Sequence, residues 1–518
     1  NKLRLSLRQV GLLDMLLTTL PVDASSATLG KLREQLGRFA AIEPAAAPAG
    51  FRGELRPYQE HGLGWLRALS ELGFGACLAD DMGLGKTVQV LAHLAEIYGK
   101  KAGKSLKQSL IVVPRSLVTN WVQEAARFTP ALRLHVHWGP ERNREGSTPV
   151  DADVVITTYG TLRLDALEFA QREFECVVLD EAQAIKNAAS ATAKVCKRLL
   201  GRQRLALTGT PVENHLGELW SLLDFLNPSL LAELPVLKQI VSKPKPGPES
   251  YELIRRVVRP FVLRRTKAEV AKDLPERIEQ TLYVELEPGE RAHYDKLLLH
   301  YRTSLSRKLK EVGPDRAMPH VLEALLRLRQ AACHPGLLDP ERRGEGSAKV
   351  DALLENLRAL RDEGHKALVF SQFTTLLGIV RDKLEAEKVP FEYLDGKTRD
   401  RAQRVERFQA DADVSVFLIS LKAGGLGLNL TAADYVFILD PWWNPAVEAQ
   451  AIDRAHRIGQ VRNVIAYRLL ARNSVEERVA QLQAQKRALV SALMDDTATL
   501  SGRLTRGDLE ALLELSPV

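Results

Sequence analysis

Cysteine is scarce and unpaired in this chain: Cys77, Cys176, Cys196 and Cys333 stand far apart in 518 residues, none in a C-x-x-C spacing. That pattern argues against a disulfide framework and a structural zinc, and it is what a reducing cytosol permits. No apolar run approaches the roughly 18 residues that mark a membrane-spanning helix, and no stretch has the layout of a signal peptide. No unit of about 20–50 residues recurs, so a solenoid is not expected. Charge of one sign does not dominate either: 72 Lys and Arg face 65 Asp and Glu, a net +7. A surplus that small fits a face for a polyanion and fits an ordinary basic enzyme equally well. An initiating Met is absent, the chain opening on Asn1, which suggests that further residues precede it.

What is present organises readily. A length of 518 residues, 45% hydrophobic and 26% charged, allows two to four domains with their own cores. Residues 1 to about 40 carry two short amphipathic patterns, and "AAIEPAAAPAG" (40–50) reads as an Ala/Pro linker. From Phe51 the texture changes to short apolar runs set between helical patterns: "LIVVP" (110–114), "DVVITTY" (153–159), "FECVVLDEA" (174–182) and "RLALTGT" (204–210). Continuous apolar runs between amphipathic helices predict a parallel sheet in an α/β domain.

An insertion is expected near 226–260, and a charge-rich helical stretch over about 287–333. A second series then begins: "KALVFSQF" (366–373), "VPFEYLDG" (389–396), "VSVFLISL" (414–421) and "YVFILDP" (435–441). The expected architecture is therefore α/β, with two similar parallel-sheet lobes, 51–285 and 346–494. Helical protrusions (286–345) lie between them, with a remnant at 1–50 and a tail at 495–518.

The stretch "ACLADDMGLGKTVQV" (76–90) carries the first chemistry. Strand, Gly-containing turn and helix is the setting of a phosphate-binding loop, yet the standard G-x-x-x-x-G-K-[ST] pattern fails because Asp80 stands where the first Gly belongs. Gly83 and Gly85 would let the backbone approach phosphates at a helix N-terminus. Lys86 would neutralise the terminal phosphates of ATP, and the Thr87 hydroxyl would ligate Mg²⁺. Two carboxylates about 4 Å apart repel by ~1 kcal/mol in water and ~4 kcal/mol at an effective dielectric of 20. Asp80 and Asp81 are therefore expected to turn from the phosphates and brace the loop through backbone amides or a basic partner.

"VVLDEAQAIKN" (177–187) puts adjacent carboxylates at a strand end. Asp180 would hold Mg²⁺ and Glu181 would orient and deprotonate the attacking water. Such a pair is commonly just a solvated helix start; its position downstream of a lysine loop favours the catalytic reading.

Together these segments resemble a superfamily-two helicase motor of the Swi/Snf-type ATPase branch. "LRPYQ" (55–59) is similar to the segment in which Gln59 reads adenine. "LIVVPRSLVTNW" (110–121) and "VVITTYGTLR" (154–163) resemble the first-lobe motifs that hold a nucleic-acid backbone. "LTGTPVENHLGELWSLLDFLNP" (207–228) resembles the segment coupling hydrolysis to lobe movement. "FVLRRTKAEVAKDLPER" (261–277) and "LRLRQAACHP" (326–335) look like branch signatures, and "LISLKAGGLGLNLTAADYVFILDPWWNP" (418–445) with "EAQAIDRAHRIGQ" (448–460) completes the set.

The resemblance runs from about Gly53 to Glu477 and implies two RecA-like lobes. It also implies ATP contacts at Gln59, Gly83, Gly85, Lys86, Thr87, Gly427 and Gln450. DNA contacts are implied at Pro114, Arg115, Thr157, Thr158, Ser371, Gln372, Lys422 and Ala423, and coupling at Thr208, Gly209 and Thr210.

Arg454 and Arg457 are three apart on an expected helix, so both would project from one face as arginine fingers toward the γ-phosphate. The plainer reading is a pair of surface arginines bridging Asp453 or Glu448. Trp442 and Trp443 are read as packing rather than base stacking, and Cys333 with His334 as packing rather than a metal site.

The expected function is a DNA-stimulated ATPase that moves along double-stranded DNA through its phosphates and remodels protein–DNA complexes. Loads would be RNA polymerase, repair proteins or another DNA-bound complex. The alternatives are a strand-separating helicase and a catalytically silent DNA-binding scaffold. The expected location is cytoplasmic and nucleoid-associated in a bacterium or archaeon, or nuclear in a eukaryote.

Overall fold

The computed structural model describes residues 42–99, 107–139, 142, 151–209, 216–228, 258–312, 314–421, 428–442 and 445–481. The segment 1–41, most of the insertion expected near 226–260, and everything after residue 481 lie outside the described residues. The chain divides into two units, the first ending at Lys272 and the second beginning at Asp273.

The first unit is built on a seven-stranded sheet in the order β3-β4-β2-β5-β6-β1-β7, every pairing parallel. In chain order the elements are α1 (Pro57–Glu71), β1 (Ala76–Leu78), α2 (Lys86–Gly99), β2 (Ser109–Val113), α3 (Val118–Phe128), β3 (Leu134–His137), β4 (Val154–Thr158) and α4 (Tyr159–Leu164). There follow β5 (Glu173–Leu179), α5 (Ala191–Arg198), β6 (Leu200–Leu207), α6 (Leu216–Leu226) and β7 (Val262–Leu263).

β2 and β4 are buried at all five of their positions, which is why their sequences are apolar but for small hydroxyl residues, Ser109 in β2 and Thr157 and Thr158 in β4. Side chains of β2 alternate between two cores: Ile111 and Val113 meet Trp65, Leu91 and Trp121 on one face, while Leu110 and Val112 meet Phe169, Phe174 and Phe225 on the other. Pro57 fits the first turn of α1, where no amide donor is needed. Thr158 and Ser190 cap α4 and α5 through their hydroxyls.

The second unit holds a six-stranded parallel sheet in the order β10-β11-β9-β12-β13-β8. Its elements are β8 (Arg277–Val284), α7 (Pro288–Val312), α8 (Pro314–Cys333), α9 (Ala348–Asp362), β9 (Ala367–Ser371), α10 (Thr374–Ala386), β10 (Phe391–Leu394), α11 (Arg401–Ala410), β11 (Val416–Ser420), β12 (Tyr435–Ile438), α12 (Pro445–Ile452) and β13 (Val464–Ala471).

The sequence reading assigned everything up to residue 285 to the first lobe. The structure instead pairs β8 with β13 over the whole run from Arg277↔Val464 to Val284↔Ala471. β8 is an edge strand with mostly exposed or half-buried side chains, so "RIEQTLYV" lacks the apolar run that would have marked it. Backbone pairing, not side-chain burial, decides where it belongs. The expected helical stretch is present as α7 and α8, which share a core of Tyr294, Leu298, Leu305, Leu325 and Leu328 with Val475 and Val479 beyond β13.

All four cysteines are buried and free. Among the described residues no helix is long and apolar enough to cross a membrane.

Candidate nucleotide site and nucleic-acid face

Three neighbouring strands of the first sheet deliver the chemistry to its C-terminal edge, where parallel sheets bind ligands. β1 runs into the loop Ala79–Gly85, β5 into Asp180–Glu181, and β6, which lies between them, into Thr208–Gly209.

The loop turns through Gly83 and Gly85, both left-handed at φ 86° and 74°, a conformation that glycine adopts without strain. A Cβ at Gly85 would also stand 2.5 Å from the Gln59 amide nitrogen. α2 starts at Lys86, so its unpaired N-terminal amides and positive dipole end face the loop. Lys86 Nζ donates to the carbonyl oxygens of Asp80 at 2.5 Å and Asp81 at 3.2 Å.

Neither aspartate faces that cradle unpaired. Asp80 is fully buried and accepts from Arg265 on both oxygens, Nε reaching Oδ1 at 2.9 Å, with Gln89 Nε2 at 3.2 Å completing the set. Arg265 also donates to Gln89 Oε1 and to the Tyr58 carbonyl. Asp81 accepts from the Lys267 amide at 3.0 Å, and its own amide donates to the Arg265 carbonyl at 3.0 Å. The expected brace thus takes both forms, a basic partner for Asp80 and a backbone amide for Asp81. Both come from the branch-signature segment 261–277.

Asp180 is held from several sides. Its amide donates to Val112 O, Tyr159 Oη donates to its carbonyl at 2.7 Å, Trp121 Nε1 donates to Oδ2 at 2.8 Å and the Glu181 amide donates to Oδ1 at 2.9 Å. Burial, then the neighbouring Glu181 carboxylate, push the Asp180 carboxyl up, while the Trp121 hydrogen bond pulls the other way.

Glu181 adopts a left-handed backbone at φ 49° and ψ 55°, which for a side-chain-bearing residue is strain of the sort concentrated at functional sites. Its Oε2 accepts from Gln183 Nε2 at 2.7 Å, and Gln183 Oε1 accepts from Thr208 Oγ1 at 3.2 Å. The strand-end glutamate and the segment expected to couple are therefore linked through one glutamine. Gly209 lies beside the loop, a Cβ there standing 3.5 Å from Met82. Thr87 is half-buried beside them. The Thr87 hydroxyl and the Asp180 carboxylate are hard oxygen donors, which suit Mg²⁺ completed by substrate phosphates.

Gln59 is buried, with Oε1 accepting from the Arg56 amide and Nε2 donating to Leu84 O. Its carboxamide already holds the loop, so contact with adenine requires an exchange of one of those bonds.

The residues expected to touch DNA differ in availability. Arg115 is exposed, its guanidinium 5.0 Å from the centre of the Trp138 ring, and Pro114 beside it is half-buried. Thr157 is fully buried and donates to His137 O at 2.9 Å; Thr158 caps α4. Both hydroxyls expected to meet DNA are thus already engaged within the protein, because β4 lies inside the sheet and its polar side chains are bonded locally.

In the second unit Ser371 is likewise buried and donates to Asp440, which also takes the Gln372 amide. Burial pushes Asp440 up to about 6 against the opposing Arg329, whose guanidinium stands 3.7 Å away. The side-chain Nε2 of Gln372 is buried with no partner among the described residues. Lys422, Ala423 and Gly427, with Thr210 and Trp443, lie outside the described residues.

Arg454 and Arg457 do not share a helix face. α12 ends at Ile452, and the chain continues in turns up to Gly459, which has φ 102°. An Asp453–Arg277 ion pair and Gln460 bonds to the Thr431 and Ala433 carbonyls hold these turns against neighbouring segments. Arg454 is 3% exposed, and Arg457 is half-buried with its guanidinium toward Leu428 O. Gln450 is half-buried on α12. His456 Nε2 donates to the Pro275 carbonyl at 2.9 Å. Trp442 packs on the second-unit core, as expected.

Sequence reasoning missed Trp121, Tyr159, Gln183 and Arg265 as individuals. All four stand inside quoted motifs, so the available signal was a polar-tipped side chain adjoining a motif residue.

A strand–loop–helix with a lysine at the helix start, next to a strand-end Asp–Glu pair, defines a phosphate-loop nucleotide-binding protein of the parallel-sheet kind. Comparison with known proteins narrows this. An SNF2-related domain matches residues 58–337 and a helicase conserved C-terminal domain matches residues 348–459. The chain belongs to the SNF2-related family.

An uncharacterized ATP-dependent helicase of Mycoplasma pneumoniae is 38% identical over 467 residues, covering 89% of this chain and 44% of that protein. The ISWI chromatin-remodeling complex ATPase ISW1 of Saccharomyces cerevisiae is 33% identical over 474 residues, covering 88% and 42%. The solved Sulfolobus solfataricus SWI2/SNF2 ATPase core in complex with dsDNA is 34% identical, with a TM-score of 0.44, covering 92% of this chain and 99% of that one. The chain spans less than half the length of the two curated relatives.

Proposed function

We propose that this chain is an ATP hydrolase stimulated by duplex DNA, which translocates along the double strand and remodels DNA-bound complexes. The observation that carries the reading is the convergence of Lys86, Asp180, Glu181 and, through Gln183, Thr208 at one sheet edge. Family membership supports it.

The loop amides and Lys86 bind the β- and γ-phosphates. Bound through Thr87 and Asp180, Mg²⁺ would neutralise charge developing on the transferred phosphoryl group. Glu181, oriented by Gln183, accepts a proton from water as that oxygen bonds to the γ-phosphorus. The bond to the β-phosphate oxygen breaks, and ADP leaves with the electron pair. Arg115 and the Gln372 turn take DNA phosphates, which makes the grip sequence-blind. RNA polymerase, a repair protein or another DNA-bound complex is the load.

Phosphate release measured with and without duplex DNA tests the reading, with Lys86→Ala as the inactive control. Stimulation by duplex is expected, together with displacement of a triplex-forming third strand and no melting of the duplex. Melting would identify a strand-separating helicase instead, and no hydrolysis under any condition would leave a DNA-binding scaffold.

A further inference from the structure

Asp180 receives one hydrogen bond from each of the two first-unit segments that resemble backbone-holding motifs. Trp121, from "LIVVPRSLVTNW", donates its indole N–H to Oδ2; Tyr159, from "VVITTYGTLR", donates its hydroxyl to the Asp180 carbonyl. Trp121 is fully buried and sits on α3 with only Val118 and Ala125 buried beside it. Arg115, six residues earlier, is exposed.

The connection between them is short and stiff. A single 3₁₀ turn (Arg115–Leu117), closed by the Leu117 amide on Pro114 O, leads directly into α3, and Leu117 and Val118 are both buried. A displacement of Arg115 therefore reaches the indole without a flexible link.

We infer that Trp121 is the positioning residue through which DNA on the Arg115 segment sets the Asp180 carboxylate and so governs ATP hydrolysis. The inference rests on the proposed DNA-stimulated activity. An aspartate carboxyl rotates broadly about its last bond, and an indole N–H is a donor only. The Trp121 bond therefore fixes which oxygen and which lone pairs face the phosphates. Catalysis is steeply sensitive to such placement, about 100-fold in rate for 1 Å. Without the indole hydrogen bond the carboxylate keeps, among the described residues, the adjoining Glu181 amide, which moves with it.

The test replaces the donor while keeping the ring. Trp121→β-(3-benzothienyl)alanine has sulfur in place of the N–H with near-identical shape, and Trp121→Phe is the simpler companion. DNA affinity by fluorescence anisotropy is expected to stay within twofold of wild type. The ratio of DNA-stimulated to basal ATPase is expected to fall about tenfold or more, and the Mg²⁺ concentration giving half-maximal binding of a fluorescent ATP analogue to rise several-fold.

An unchanged ratio in the folded sulfur variant overturns the inference. So does a loss of melting temperature with both rates reduced in proportion, which is the signature of packing alone. If the wild-type chain hydrolyses ATP without any response to DNA, it is the proposed function that fails, and the two outcomes are separable.

Discussion

Asp80 shows how a single residue turns a motif mismatch into information. A carboxylate at the opening position of a phosphate loop is tolerable only if something other than ATP satisfies it, and Arg265 with Gln89 does so in a fully buried setting. Burying the pair brings little net stability, but removing one member leaves an uncompensated charge. Arg265→Ala is accordingly expected to lower unfolding stability by about 3–5 kcal/mol, measured by urea denaturation. Asp80→Asn is expected to loosen the loop and reduce turnover; tighter ATP binding with intact turnover in that variant would refute the bracing role. Lys86, Thr87, Asp180 and Glu181 stood out in the sequence because the proposed phosphate chemistry calls for those types at those spacings. Arg265 was not legible as Asp80's partner, because 185 residues separate them and nothing in a pattern of spacings measures closeness in space.

Elements carry the next set of consequences. Strands such as β2, β4, β9 and β11 were legible because two-sided burial demands continuous apolar runs, whereas β3, β7 and β13 carried no run that the sequence reading picked out. Nor was β8 legible, because an edge strand needs only backbone pairing. The 3.6-residue argument for Arg454 and Arg457 failed for a related reason. Helix propensity extends past Ile452, but tertiary partners of Asp453 and Gln460 hold the chain in turns.

The segment "LRLRQAACHP" gains a physical role here. From α8, Cys333 donates to Glu476, which also pairs with the buried Lys349 of α9, while Lys349 donates to Leu439 O at the end of β12. Lys349→Met is expected to destabilise the folded chain by about 3–5 kcal/mol. Pairing it with Glu476→Leu should recover most of that loss, and a double-mutant cycle by chemical denaturation checks the coupling. A double variant whose loss equals the sum of the two single losses would show that the pair acts independently.

For the whole molecule the governing quantity is charge against phosphate. A net +7 over 518 residues is too small to dictate DNA binding, so the proposed grip on duplex assigns affinity to particular exposed cations such as Arg115. Binding to duplex is expected to weaken linearly on a log–log scale with salt, by about 0.9 per phosphate neutralised. Arg115→Ala should weaken binding uniformly across sequences and reduce the magnitude of that slope by about one. Anisotropy titrations over a range of salt concentrations check both, and a sequence-dependent effect would point to base contact instead.

The sequence by itself determined that there are two parallel-sheet series, which strands lead into the lysine loop, the Asp180–Glu181 pair and the Thr208–Gly209 segment, and which family these motifs match. Those features follow from local rules: the period of burial, the freedom of glycine and the fixed chemistry of phosphate. Only the tertiary structure decided that Arg265 neutralises Asp80, that Gln183 joins Glu181 to Thr208, that Trp121 grips Asp180, and that β8 belongs to the second sheet. Each is a contact between segments distant along the chain or a choice between competing hydrogen-bond partners. Such choices are settled by packing in three dimensions, for which a one-dimensional pattern has no measure.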